Sequence, residues 1–270
     1  MENNNYGAET SRQKQIAVIT GASSGLGREY VKYLVSRFVL DEFWLIARRK
    51  ERLEELAASI PVPSRLFSLD LSEDESIRVL QSALEEEKPA VRFLINAAGF
   101  GKMGNYKDIP LEELDRTVLV NCKAMMDVTQ VCIPYTQKGS RILEISSVAS
   151  FQPLPGFNVY AASKAFVTSY SRALHWELFL KGIRVTGVCP YWIKDTEFIA
   201  TTKTDTAHPN AIRHFILPTT ARRVVFHSMW QNKIGLGIAT PGIVSSLYRL
   251  GAKFVPHEIA IAAWEGLRRL

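Results

Sequence analysis

The chain has 270 residues, 47% hydrophobic and 22% charged, a composition that excludes intrinsic disorder and fits a soluble globular fold. No stretch approaches the ~18 to 20 uninterrupted apolar residues of a membrane span. The net charge of +6 lies wholly in the last quarter: residues 1–200 balance at 24 Lys/Arg against 24 Asp/Glu, whereas residues 201–270 carry 9 against 3.

Residues 1–14 are polar, without the apolar core of a secretory signal, and read as a flexible tail. The β-branched run 16–20 predicts a first strand, followed by helical periodicity from Leu26 to about Val39. Residues 43–47 predict the next strand and 50–59 the next helix. A third strand over 65–69 precedes a helix start at Ser72, where Ser72 and Glu75 have the spacing of a capping box. Residues 91–95 form a fourth strand, 111–135 one long helix, 141–145 a fifth strand, 159–180 another long helix, and 183–188 a sixth strand. Residues 234–238 are a candidate seventh strand. Helices over 243–255 and 257–267 follow, broken at Pro256. Serial β-then-α units predict one α/β domain: a Rossmann-like, doubly wound parallel sheet of about seven strands with helices on both faces, spanning 15–240. Residues 241–270 then form an amphipathic arm packed on that domain.

Between the first strand and its helix lie Gly21, Ala22, Ser23, Ser24, Gly25, Leu26 and Gly27. Glycines there let backbone N–H groups approach a pyrophosphate, and the helix N-terminus adds a favourable field. The spacing differs from that of the usual dinucleotide fingerprint, and glycine turns also close ordinary βα units. The second strand ends in Ala47, Arg48 and Arg49, where an NAD site usually has a carboxylate for the ribose hydroxyl. Two arginines suit a 2′-phosphate, so NADP(H) is favoured and NAD(H) is the alternative. The plainer reading makes Arg48 and Arg49 the start of an exposed basic helix. Asp70 and Leu71, after the third strand, are candidates for the adenine side, although a helix-start role alone explains Asp70. Asn96, Ala97, Ala98 and Gly99 end the fourth strand with small residues where a nucleotide can pass.

Tyr160 and Lys164 stand four apart on one helix face. A cation beside a phenol favours the phenolate, and such a tyrosine exchanges a proton with an alcohol or ketone oxygen. Ser146 and Ser147 end the fifth strand, at the sheet edge where open α/β folds bind ligands. A serine there stabilises charge on a substrate oxygen. Asn121 falls mid-helix, where it either holds a helix deformation with a relay water or makes a core hydrogen bond.

Together these residues resemble the short-chain dehydrogenase/reductase family, over roughly residues 14–198. The matching pieces are Thr20-Gly21-x-x-x-Gly25-x-Gly27, Asn96-Ala97-Ala98-Gly99, Asn121, Ser147, Tyr160-x-x-x-Lys164 and Pro190. The resemblance implies catalysis by Asn121, Ser147, Tyr160 and Lys164. In it Tyr160 is the general acid/base, Ser147 orients the substrate, Lys164 tunes Tyr160 and binds ribose, and Asn121 supports a water relay. It also implies cofactor contacts from Pro190, Ile193 and Thr196, a lid over 197–233, and a homodimer or homotetramer. The family often has Gly after this proline, where the chain has Tyr191 and Trp192.

The loop before Tyr160 carries Phe151 and Phe157, and Tyr191 and Trp192 stand on the opposing loop. These four aromatics suggest a large apolar ketone or secondary alcohol of steroid-like size. A 3-oxoacyl chain on a phosphopantetheine carrier is the alternative, and a non-catalytic dinucleotide sensor is a reading from another class. The arm's apolar residues, Ile243, Val244, Leu247, Tyr248, Leu250, Phe254 and Val255, then Ile259, Ile261, Ala262, Trp264 and Leu267, cap the pocket, pair with a second subunit or lie on a membrane. The scattered basic residues give poor support for nucleic-acid binding. Histidines 175, 208, 214, 227 and 257 have no metal-ligand spacing, so no metal is expected. Cys122, Cys132 and Cys189 are sparse and odd in number, which suggests a reducing, cytoplasmic setting.

Overall fold

A computed structural model describes residues 12–202 and 217–269. Within them, seven parallel strands form one sheet in the order β3-β2-β1-β4-β5-β6-β7. The strands are β1 (Gln15–Thr20), β2 (Glu42–Ala47), β3 (Ser64–Ser68), β4 (Ala90–Asn96), β5 (Thr136–Ile145), β6 (Arg184–Val188) and β7 (Ile238–Ala239). The helices are α1 (Gly25–Val35), α2 (Lys50–Ala58), α3 (Asp74–Glu87), α4 (Leu111–Val118), α5 (Met125–Cys132), α6 (Asn158–Phe179), α7 (Phe198–Thr202), α8 (Ala221–Lys233), α9 (Ile243–Phe254) and α10 (His257–Arg269).

The strands are covered on both faces, which is why they read as continuous apolar runs. Ala17, Ile19, Phe43, Leu45, Phe93 and Ile95 point into a core closed by Tyr30 and Leu34 of α1, Leu53 and Leu56 of α2, and Val224 and Met229 of α8. Ile16, Val18, Trp44, Ile46, Leu94 and Ile142 point the other way, under Leu80 of α3, Val128 of α5 and Leu174 of α6. The Tyr30 phenol and Ser228 hydroxyl, 2.6 Å apart, tie α1 to α8 inside the first layer. Strand order reverses between β1 and β4, and the crevice at their carboxyl ends is where such folds take ligands.

Several boundaries differ from the sequence reading. α1 ends at Val35 rather than near Val39. α3 begins at Asp74, because Ser72 is held by Asp70 through both its N–H (3.0 Å) and its hydroxyl (2.7 Å); the capping box does not form. The predicted helix 111–135 is four pieces: α4 and α5, a π-helical turn over Leu119–Ala124 between them, and a 3₁₀ turn at the end. β7 is two residues long and begins at Ile238 rather than 234, since Gly235 takes a left-handed φ of 82° and leaves the strand path before it. Residues 12–14 are fastened to the domain: Arg12 pairs with Asp41 at 2.7 Å and Lys14 with Glu42 at 2.8 Å. Tail residues 1–11, the central part of the expected lid (203–216), and His208 and His214 lie outside the described residues.

Candidate active site

The glycine turn is built by close approach. Gly21 has φ of 66°, and a Cβ on it would stand 2.7 Å from the Ala98 nitrogen and 2.8 Å from the Ala97 carbonyl. Ala97 and Ala98 therefore floor the turn, while the Ala98 N–H donates to the Thr20 hydroxyl at 3.1 Å. Thr196 stands opposite Gly25, 3.6 Å from where a Cβ would be. A groove bounded by a Cβ-free turn, the N-terminus of α1 and Thr196 has the donors and the clearance that a pyrophosphate needs.

The residues expected on the adenine and ribose side divide into two groups. Arg49 extends over the turn: it donates to the Ser23 hydroxyl at 3.2 Å and pairs with Glu197 at 2.9 Å; Arg52 pairs with the same carboxylate. The two guanidiniums hold the Glu197 carboxyl below its usual range. Arg48 stands 3.8 Å from Asp70. Burial pushes the Asp70 carboxyl up, but the Ser72 donors, Arg116 (2.7 Å) and Arg48 outweigh it and hold the group low. Leu71 is buried in the second core layer, and Asn96 is buried too, donating to the Thr129 hydroxyl at 2.8 Å. Both side chains stitch the framework rather than facing the groove.

β5 delivers Ser147, and α6 delivers Tyr160 and Lys164. The Ser147 hydroxyl accepts from the Ala149 N–H at 3.1 Å, capping the 3₁₀ turn Val148–Phe151, and shares a hydrogen bond with the Tyr160 phenol. Lys164 is 5% exposed, and its ammonium donates to the Ile145 carbonyl at 2.8 Å. The ammonium lies 5.6 Å from the centre of the Tyr160 ring. Burial lowers the Lys164 ammonium to about 8. Burial also raises the Tyr160 phenol, against the downward pull of Ser147. The phenol is thus set as a proton donor: desolvation dominates, and the opposing pull comes from Ser147 rather than from the Lys164 that the sequence suggests.

Asn121 occupies the π turn. Its amide donates to the Phe100 carbonyl (2.8 Å) and the Ser163 hydroxyl (3.0 Å), and its oxygen accepts from the Phe100 N–H (3.0 Å). A π turn of this kind marks functional positions in many helices. Here it points Asn121 at the loop after Gly99, whose missing Cβ leaves room for Asn121 and Lys164 together. Pro190 accepts from the Val148 N–H at 3.1 Å, and Ile193 packs on the first core layer, so the loop after β6 is braced against β5.

The aromatics do not form the single wall expected. Phe157 stacks on Tyr160, centroids 4.2 Å apart and planes 14° from parallel. Trp192 packs on the same cluster. Phe151 instead lines a separate cleft between α6 and α9. Tyr191 turns toward α9, where its N–H donates to the Ser245 hydroxyl at 3.1 Å. Two residues that the sequence did not single out as walls complete the cluster. Phe198 is tilted on Tyr160 at 5.5 Å, and Trp264 of α10 donates its indole N–H to the Pro155 carbonyl at 2.9 Å. α8 is buried against α1, so the part of 197–233 able to act as a lid stops before Ala221.

A family model described as short chain dehydrogenase matches residues 15–207. The chain is 33% identical over 219 residues to sulfoacetaldehyde reductase 2 of Chromohalobacter salexigens, covering 77% of this chain and 84% of that one. It is 35% identical over 188 residues to the very-long-chain 3-oxoacyl-CoA reductase of Anas platyrhynchos, covering 66% and 59%. Among solved structures, a short-chain dehydrogenase from Sphingobium yanoikuyae in complex with NADPH superposes with a TM-score of 0.74 at 24% identity, covering 94% of each chain. With the family model spanning β1 to the region beyond β6, the chain is an oxidoreductase-type member of the short-chain dehydrogenase family.

Proposed function

We propose that the protein is an NADP(H)-dependent oxidoreductase that interconverts a bulky, apolar ketone and its secondary alcohol. The observation that carries this is Tyr160: a buried phenol bonded to Ser147, backed by Lys164, and covered by the apolar ring of Phe157. The Gly21–Gly27 turn, Arg48, Arg49, Ile193 and Thr196 would hold a nicotinamide dinucleotide, which would supply or take up the hydride. In reduction the Tyr160 O–H donates its proton to the ketone oxygen, and the Ser147 hydroxyl orients that oxygen and stabilises the charge it develops. Lys164 keeps a positive charge behind the phenol and limits the cost of the phenolate left behind. Asn121 holds the Phe100 backbone and Ser163 in register with α6. Phe157, Phe198, Trp192 and Trp264 exclude water and favour apolar substrate.

A second reading, reduction of a 3-oxoacyl thioester, draws support from the printed activity of the duck relative and from the basic C-terminal quarter. Three free cysteines support a cytoplasmic setting. Exposed Val118 and Leu119, and exposed Phe166 of α6, support assembly as a homodimer or homotetramer. The deciding test is oxidation of NADPH and of NADH with a panel of steroid ketones, 3-oxoacyl thioesters and small aromatic ketones. Turnover of a bulky ketone with NADPH is the expected result. Turnover of thioesters alone moves the reading to the second, and cofactor binding without turnover of any ketone moves it to a dinucleotide sensor.

The arginine site gives a sharper expectation. Glu197 places a carboxylate on Arg49 and Arg52, where a 2′-phosphate is expected to bind. Glu197→Gln should therefore tighten NADPH about threefold and leave NADH unchanged, a small effect because these pairs are half-exposed. Arg49→Gln should weaken NADPH roughly tenfold through loss of a charged hydrogen bond. Dissociation constants from cofactor fluorescence check both, and equal changes for the two cofactors would remove the arginines from phosphate recognition.

A further inference from the structure

α9 carries a row of exposed apolar side chains on the side facing away from the domain. Ile243, Leu247, Leu250 and Phe254 recur at i, i+4, i+7 and i+11 and are 80, 62, 55 and 77% exposed. At about 100° per residue they fall within a stripe roughly 60° wide. Ser245, buried, and Ala252, in the cleft, are on the opposite side of the helix, toward the domain. Ile259 of α10 extends the exposed set at 60%. The arm is not loose: Trp264 fastens α10 to Pro155, and Ser245 binds the Tyr191 N–H.

Round one flank of α9 from this row, about 90° at Lys253 and about 130° at Arg249, lies a cleft of about 390 Å³ between α6 and α9. Arg172, Arg249 and Lys253 line it with the hydroxyls of Ser150 and Ser169, and no carboxylate is among its lining residues. Three like charges around one cleft give it a potential that favours an anion. The cleft face of α6 is turned roughly 100° from the face of Tyr160 and Lys164, so it is separate from the active site. Arg249 and Lys253 belong to the quarter of the chain that holds its entire positive surplus.

We propose that the outer face of α9 docks on an anionic lipid surface, the apolar row entering the headgroup boundary and a lipid phosphate seating in the Arg172–Arg249–Lys253 cleft. An apolar stripe bordered on one flank by cations, with no helix among the described residues long and apolar enough to cross a membrane, is the pattern of an interfacial helix. A second copy of the chain fits the face less well. An antiparallel twofold pairing centred on α9 would bring Arg249 and Lys253 of one copy to the same side as those cations of the other. The proposal does not depend on the reductase reading.

The test is co-sedimentation of the full chain with vesicles of mixed phosphatidylglycerol and phosphatidylcholine, against phosphatidylcholine alone. Binding to the anionic vesicles is expected. Arg249→Gln with Lys253→Gln should weaken it roughly 25-fold, about fivefold per charge. Leu247→Gln with Phe254→Gln keeps every charge and should still weaken it at least about tenfold. All four side chains are wholly or partly exposed, and a thermal melt verifies folding. Undiminished binding by the second pair would reduce the effect to net charge and overturn the proposal. So would an absence of vesicle binding, whether millimolar inorganic phosphate stabilises the chain through Arg172 and Lys253 or a dimer in sedimentation velocity is lost in the Leu247 and Phe254 variant.

Discussion

Tyr160→Phe is expected to lower ketone reduction by roughly 10²- to 10⁴-fold while leaving cofactor affinity within about threefold. The substitution removes one oxygen and keeps the ring. Its stack against Phe157 and its tilted contact with Phe198 therefore survive. Ser147 loses its hydrogen bond to the phenol but keeps the one from the Ala149 N–H, so no new buried group is stranded. The loss falls on kcat rather than KM, since the proton is delivered only as the oxygen gains charge. In the intact enzyme the phenol is pushed up by burial, and reduction needs it protonated. The neighbouring Lys164 is charged below about 8 and neutral above. The reduction rate should thus stay level from neutral pH to about 8 and decline beyond it. A pH profile of kcat/KM with the best ketone of the panel checks the limb. A Phe variant with most of its activity intact would exclude Tyr160 as the acid.

The sequence made the sheet legible because its strands are buried on both faces. Runs such as Ile16–Thr20 and Phe43–Ala47 are apolar at consecutive positions, and few other structures need that. β7 was harder, because two residues carry no periodicity and glycines flank them. The Tyr160–Lys164 pair was legible as a spacing, and Asn121 as a polar residue out of place in a helix. What the spacing did not carry was which side of a turn a side chain takes. Phe151 follows Ser147 by four residues, yet the 3₁₀ turn sends it to the cleft under α9, while Phe157 returns to Tyr160. Trp264 meets Pro155 across 109 residues of chain, a contact no local pattern encodes. Glu144 is a further legible signal, a carboxylate between Leu143 and Ile145 one residue before the end of its strand.

Glu144 is fully buried on β5, three residues before Ser147. Its Oε1 accepts from the Thr129 hydroxyl at 2.8 Å, and its Oε2 has no hydrogen-bond partner among the described residues. Burial raises the carboxyl to about 7, against the pull of Thr129, Asn96 and the Lys164 charge. An unfolded carboxyl ionises near 4.5. Between those two values the unfolded chain gives up its proton first. Glu144 therefore contributes stability that is complete below 4.5 and is lost as pH rises through about 7, a change of roughly 3 kcal/mol. Glu144→Gln keeps the shape and cannot ionise. The variant should match the native chain within about 1 kcal/mol at pH 5, where both side chains are neutral, and exceed it by roughly 3 kcal/mol at pH 8. Urea unfolding of both chains across that range measures the difference, which cancels every other titrating group. The same substitution removes the anion that supports the Lys164 charge, so the alkaline limb of the reduction profile should move to lower pH. A stability difference that does not change with pH would mean that Glu144 keeps one protonation state throughout. A limb that stays in place would separate Glu144 from the Lys164 charge.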